Sequence, residues 1–287
     1  MTANSKSLIT GKVQSIFSRI NSGNPFLKRR FTELENQINN LDLRISAVEK
    51  LTHQIDYELL AKPYIADEQK LLVFLESNNS RIGFKKSELT DFSYADFENL
   101  YRGSEEFIYD RMKFYGKFFN PGSKVLDVGC GRGELITVLK EFGVDAYGIE
   151  PDLSMFEIAK NNQLSVENLG WQEKFSSCDS DSIDAIVLIQ VIEHLDPDTF
   201  KEFMDGAYRI LKSGGQLVIE TVNPHSPAAL KTFWLDLTHT RPIFPESVID
   251  LAIRSNFQSG YIVFPYGSGN WDEDIRHAGE YAAFIKK

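Results

Sequence analysis

Cysteine is scarce in this chain: 287 residues hold two, Cys130 and Cys178, and neither has metal-ligand spacing. That scarcity fits a reduced, cytosolic setting. Long apolar runs are missing too. No stretch approaches the roughly 18 to 20 residues that cross a bilayer, and the opening "MTANSKSLITGKVQSIF" lacks the apolar core of a signal peptide. A cytoplasmic protein with no transmembrane segment is therefore expected. Positive charge is in deficit, with 31 Lys and Arg against 41 Asp and Glu, a net charge of −10 and a pI near 5.1. An electrostatic grip on nucleic acid needs a surplus of cations at the phosphates, so nucleic acid is not an expected partner. Internal repeats and low-complexity tracts are also absent. What remains is ordinary globular usage, 42% hydrophobic and 25% charged, in a chain long enough for one large α/β domain and an appendage.

The appendage lies at the front. Residues 1–30 are polar, mildly basic and broken by "NSGNP", which reads as a flexible arm ending in a helix-start signal. From Phe31 through Leu34, Ile38, Leu41, Ile45, Val48, Thr52, Ile55 and Leu59, apolar positions alternate at spacings of three and four. Such a seam predicts a coiled-coil helix over 31–62 and a homo-oligomer held by it; the alternative is one amphipathic helix lying on its own domain. Pro63 ends the helix, and 63–91 form a polar linker.

From residue 92 to 287 the pattern alternates. "KVLDV", "DAYGIE", "IDAIVLIQ" and "GQLVIETV" are apolar runs of strand length, separated by the helical stretches "ELITVLKEF", "LSMFEIAKNN" and "TFKEFMDGAYRILK". Strands apolar throughout predict a parallel sheet covered on both faces, a doubly wound α/β fold. The closing runs "GYIVFPY" and "EYAAFIKK", joined by about a dozen residues without helical period, predict an antiparallel pair at one edge.

Between the first strand and its helix stands "VLDVGCGRGE". A glycine turn there lets backbone amides approach a ligand at the carboxyl end of the sheet. A dinucleotide site would show G-x-G-x-x-G, whereas Gly129, Gly131 and Gly133 give G-x-G-x-G, with Asp127 ahead of them and Glu134 placed to repel a pyrophosphate. The turn favours a ligand without phosphate.

With Glu150 closing the second strand and "LKSGGQLVIET" leading into the fifth, this region resembles the class I S-adenosylmethionine-dependent methyltransferases. The resemblance implies a Rossmann-like seven-stranded sheet with an antiparallel last strand, and S-adenosylmethionine as cofactor. It implies that the glycine turn receives the methionine end, that Asp127 orients its ammonium, and that Glu150 accepts the ribose hydroxyls. Arg102 in "YRGSEE" is placed to pair with the cofactor carboxylate as a guanidinium fork does. Adenine contacts are not assigned beyond 165–173, where Asn168 has open register and Trp171 either flanks the ring or joins the core.

The fourth strand runs into "IQVIEHLDPDTF", which brings Gln190, Glu193 and His194 to the cofactor's edge. Methylating an ordinary hydroxyl requires removal of its proton during attack, and an imidazole suits that task. His194 and His239, the latter in "FWLDLTHTRPIFPE", are the candidate bases, with Glu193 orienting. Glu193, His194 and His239 also resemble the metal variant found in quinone O-methyltransferases and small-RNA 3′-end methyltransferases, but Gln190 replaces that variant's first glutamate and no metal is assigned. His225 is placed to line the pocket, while His53 and His277 read as solvated. The blander alternative makes Glu193 and His194 helix caps and His239 a satisfied loop residue.

Together "FENLYRGSEEFI", "VLDVGCGRGEL", "QVIEHL", "ETVNPHSP" and "FWLDLTHTRPIFPE", behind a coiled coil, resemble a bacterial polysaccharide-associated subgroup described as O-antigen chain-terminating methyltransferases, over roughly 25–265. That resemblance implies methylation of a terminal sugar hydroxyl on a glycan or glycolipid-linked saccharide, a place at the inner membrane face, and polysaccharide-assembly enzymes as partners. In the subgroup Gln at position 190 is usual. Trp234, Asp236, Thr238 and Arg241 around His239 suit a polyhydroxylated acceptor. A small phenolic or quinone-like acceptor is the alternative and would need an apolar pocket; a coiled-coil scaffold that binds cofactor without turnover is the non-enzyme alternative.

Overall fold

The computed structural model describes residues 25–60 and 104–287. The chain divides into two units, Met1–Ala61 and Lys62–Lys287. The first contains helix α1, Pro25–Leu60. It starts at the "NSGNP" signal, six residues earlier than the seam alone suggests, because proline at a first helical position brings a preset φ and forgoes only an amide that would be unbonded there anyway. Within it Leu34, Ile38, Leu41, Ile45 and Val48 are all exposed. The linker and the segment holding Arg102 lie outside the described residues.

In the second unit α2 (Glu105–Gly116) precedes β1 (Lys124–Val128), α3 (Glu134–Glu141), β2 (Asp145–Ile149), α4 (Leu153–Asn161), β3 (Val166–Glu167), α5 (Trp171–Ser177) and β4 (Ile183–Ile189). A 3-10 turn, Ile192–His194, leads to α6 (Pro197–Ile210), β5 (Leu211–Val222), α7 (Pro227–Phe233), α8 (Pro245–Arg254), β6 (Ser259–Val263), α9 (Trp271–His277) and β7 (Glu280–Lys286). Local chemistry sets these starts. Asp152 accepts the Met155 amide at 3.0 Å, and Asp196, followed by Pro197, accepts those of Asp198 and Thr199.

The seven strands order as β3-β2-β1-β4-β5-β7-β6, parallel except for β7, which runs antiparallel to both β5 and β6. The expected antiparallel pair is present at one edge, with β6 at the rim and β7 inserted between β5 and β6. The stretch before β7 is corrected: α9 occupies part of what the missing apolar period left as loop. Asn270 accepts the Asp272 amide, and three acids fill the helix's first turn, so capping and dipole complementarity make a helix that burial periodicity does not announce. The "LKSGG" turn is absorbed into β5 as an irregularity where the pairing with β4 shifts register.

Apolar side chains cover both sheet faces. Phe200, Phe203, Met204 and Ala207 of α6 with Val248 of α8 pack on one; Ile108, Met112 and Tyr115 of α2 with Ile136 and Leu139 of α3 pack on the other. Burying each such side chain contributes about 1.5 to 3 kcal/mol. Strand order reverses between β1 and β4, so the loops after these two strands diverge and leave a crevice.

Candidate active site

The crevice is shaped by the turn after β1. Gly129, Gly131 and Gly133 all have positive φ, +68°, +55° and +88°, a region that side chains other than glycine's enter at a cost. The Gly129 and Cys130 amides bond to the Ile149 carbonyl at 2.9 and 3.0 Å, and the Gly131 amide donates to Glu150 Oε2 at 2.8 Å. Glu150 Oε1 takes the Asp152 amide at 2.8 Å. Both carboxylate oxygens are thereby fixed by backbone. Asn168 donates its side-chain amide to the Glu150 carbonyl at 2.7 Å and braces the same corner.

In front of the turn lies a cleft that opens to solvent, with about 360 Å³ of empty space counting the solvent at its mouth. Asp127, Arg132 and Glu134 give its polar wall; Ile108 and Met112 of α2, Leu135 and Ile189 give its apolar wall. Arg132 Nε meets Glu134 Oε1 at 2.7 Å, both largely buried. The acid at the helix start is thus matched by a cation, and its expected repulsion of phosphate is offset; the glycine spacing carries that argument alone. Burial, then the Asp127 and Glu150 charges, push the Cys130 thiol well up, so it is no nucleophile at neutral pH.

Four residues separate the cleft wall at Ile189 from His194. Gln190 has φ +57° and donates Nε2 to Glu220 Oε1 at 3.3 Å. Val191 packs against Gly129 so closely that a Cβ there would stand 2.7 Å from its Cγ2. Glu193 is then completely buried. The segment after α7 folds over this turn, pinned where Thr240 donates its amide and hydroxyl to the Glu193 carbonyl at 2.8 and 2.9 Å. The ring centroids of His194 and His239 come within 4.8 Å. Ligand atoms of Glu193, His194 and His239 all lie within 4.8 Å of one another.

The hydrogen bonds fix which imidazole nitrogen is basic. His239 Nδ1 lies 2.7 Å from the Phe233 carbonyl, which can only accept, so Nδ1 carries the proton and the neutral ring keeps its lone pair on Nε2. Thr238 gives its hydroxyl proton to Asp236 Oδ1 at 2.6 Å and so accepts from His194 Nδ1 at 3.0 Å, which leaves His194 in the same tautomer. Burial acting alone would raise the Asp236 pKa. The side-chain and backbone bonds from Thr238, then the charge that His239 and His194 carry when protonated, outweigh burial and hold it below the usual carboxylate range.

The expected residues therefore gather in two neighbouring groups, Asp127 with the glycines and Glu150, and Glu193 with His194 and His239. Gln190 faces Glu220. His225 pairs with Glu246 at 3.0 Å, and Trp171 packs edge-on to Phe175 and Phe203, a core role. Sequence reading missed Arg132, Ile108 and Met112 as cleft residues; an arginine inside the glycine turn was the available signal for the first. Within 233–241 Asp236 and His239 are partly buried, while Trp234, Leu235, Leu237 and Thr238 are exposed, Leu237 at 96%.

Comparison with known proteins agrees with this geometry. A family described as "Methyltransferase domain" matches residues 101–258. A SAM dependent methyltransferase from Archaeoglobus fulgidus superposes with a TM-score of 0.62 at 27% identity, covering 68% of this chain and 99% of that one. The mitochondrial ubiquinone biosynthesis O-methyltransferase of Rattus norvegicus is 33% identical over 110 residues, 36% of this chain and 31% of the relative. Its counterpart in Coxiella burnetii is 30% identical over 156 residues, 53% of this chain and 62% of the relative. The chain spans between a third and three-fifths of the length of these curated relatives.

Proposed function

The chain belongs to the methyltransferase-domain family, and from that premise we propose that it is an S-adenosylmethionine-dependent O-methyltransferase whose acceptor is a phenolic or quinone-like hydroxyl compound. The observation that carries the reading is the pairing of a glycine-walled cleft with two imidazoles whose Nε2 atoms are both set as proton acceptors. The cleft suits the cofactor: a Cβ at Gly131 would meet nothing nearer than Met155 Cε at 3.9 Å, so that glycine leaves room rather than filling it. Asp127 would hold the ammonium, Glu150 the ribose hydroxyls, and Arg102 the carboxylate. When bound, S-adenosylmethionine supplies a methyl group made electrophilic by its sulfonium. The protein's part is to orient the acceptor oxygen and take its proton at His239 Nε2 or His194 Nε2, with Asp236 and the Phe233 carbonyl holding the rings.

Two imidazole nitrogens and a buried carboxylate within 4.8 Å also form a donor set that suits a divalent cation. Glu193, His194 and His239 would hold such an ion, which would supply an anchor for adjacent acceptor oxygens; Gln190, engaged with Glu220, is not part of the set.

An aromatic acceptor is favoured because Asp236, Thr238 and the two imidazoles bond to one another and to backbone, while Trp234, Leu235 and Leu237 of the same segment are exposed apolar groups. The relatives' names point the same way. A saccharide hydroxyl is the second reading, supported by Trp234, whose half-exposed ring offers a flat apolar face for a sugar. Residence in the cytoplasm at the inner membrane face and association with polysaccharide-assembly enzymes belong to that second reading. Self-association through the exposed seam of α1 belongs to both. Among the described residues no helix is long and apolar enough to cross a membrane.

Transfer of labelled methyl from S-adenosylmethionine to catechol-type phenols and, separately, to extracted glycolipid tests both readings. Label in the phenol supports the first and label in the glycolipid the second, while label in neither removes the proposal. Loss of transfer with a chelator, restored by a divalent ion, identifies the metal-assisted form.

A further inference from the structure

Behind the cleft lies a buried carboxylate to which the reaction assigns no part. Glu220, near the end of β5, is 1% exposed. Tyr115 of α2 donates its hydroxyl to Glu220 Oε2, and Gln190 donates its side-chain amide to Oε1. The Gln190 backbone amide bonds to the Glu220 carbonyl at 2.9 Å. One residue thus ties together the two elements that flank the cleft. On α2 the spacing Ile108, Met112, Tyr115 follows one helical face, so the face that lines the cleft continues into the hydrogen bond with Glu220. On β4 the tie holds Gln190 in a left-handed conformation directly after Ile189, another cleft residue.

We propose that Glu220 is a positioning residue for the cofactor: its ionised carboxylate holds α2 and the carboxyl end of β4 at the separation that the methyl donor requires. The inference rests on the cofactor reading given above. The groups that face Glu220 are Tyr115 and Arg111 from α2, Gln190 after β4, Tyr266 after β6, and Glu280 on β7. Arg111 is shared, forming an ion pair with Glu280 at 2.9 Å and lying 3.9 Å from the Tyr266 ring centroid. Burial first, then the Glu280 charge, raise the Glu220 pKa to about 6 against the opposing pull of Tyr115, Arg111 and Gln190. A protonated carboxyl turns one oxygen into a donor: on Oε2 it reverses the bond with Tyr115, whose hydroxyl can accept, and the Gln190 bond to Oε1 loses its charge assistance, so the brace loosens.

The test is S-adenosylmethionine binding by calorimetry on the full chain between pH 5 and 8, with KM and kcat measured alongside. Wild-type affinity is expected to weaken roughly tenfold or more as pH falls through about 6, the effect of one hydrogen bond to a charged group. Glu220→Gln mimics the protonated form, and its binding should be weak and flat across the range, with KM for the donor moved more than kcat. Tyr115→Phe removes a bond that favours the carboxylate and should shift the midpoint upward, which a merely structural role would not do. An unchanged pH profile in both variants, with wild-type binding intact, overturns the inference alone; no binding by wild type overturns the cofactor reading as well.

Discussion

Replacing Gly131 by alanine separates cofactor binding from folding, because the backbone cost is small and the new methyl enters open space. At φ +55° an alanine costs about 1 to 2 kcal/mol relative to glycine. The nearest atom to its Cβ would be Met155 Cε at 3.9 Å, an ordinary contact, so no packing penalty is added. For a domain of this size that is roughly 2 to 8 °C in Tm. The side chain enters the cleft in front of the turn, and overpacking against a bound donor there costs about 1 to 3 kcal/mol of binding, or roughly 5- to 150-fold in Kd. Gly133→Ala is the control with opposite balance. Its Cβ would lie 2.2 Å from Leu164 Cδ1 and 3.7 Å from the Ala159 Cβ at φ +88°, so Leu164 must move and about 1 to 3 kcal/mol of packing strain joins the backbone cost. Thermal unfolding with and without S-adenosylmethionine, together with calorimetry, reads both quantities. The reasoning is refuted if Gly131→Ala binds the donor as tightly as wild type, since the cleft in front of the turn would then not be the donor's seat.

Three further outcomes follow from the same geometry. His239→Ala should lower kcat by about 10²- to 10⁴-fold while donor binding is unchanged; full activity would move the proton acceptor to His194 or elsewhere. Because the folded-state pKa of Glu220 is raised to about 6 from 4.5, the native state holds its proton more tightly than the unfolded chain, and stability from this group is present below pH 4.5 and lost as pH rises through 6. Denaturant unfolding should show wild type losing about 2 kcal/mol between those limits that Glu220→Gln does not lose. Ile38→Glu with Ile45→Glu on α1 should abolish any self-association seen by light scattering, and an unaltered oligomer would place its interface off the exposed seam.

The sequence by itself carried β1, β2, β4 and β5 with the helices after β1, β2 and β4, the glycine turn, the acid closing β2 and the antiparallel last strand, while the two-residue β3 and the short α5 gave no periodic signal. Those it carried are local signals, set by residue type at fixed spacing, and a strand-turn-helix with three left-handed glycines has few alternatives. The sequence also carried Glu193, His194 and His239 as a set, but only through resemblance. Nothing in spacing alone brings 239 to 193; that meeting depends on Thr240 bonding across to the Glu193 carbonyl. Three matters belonged to tertiary structure. The partial burial of Asp236 and His239 beside exposed Trp234, Leu235 and Leu237 is a choice of loop direction that composition cannot express. The pairing of Arg132 with Glu134 cancelled a repulsion that looked decisive when each charge was read alone. Finally, Tyr115, Gln190 and Glu220 come from three distant parts of the chain, and only the packing of α2 against the sheet makes a buried carboxylate their common partner, since burial and hydrogen-bond geometry are properties of the folded whole.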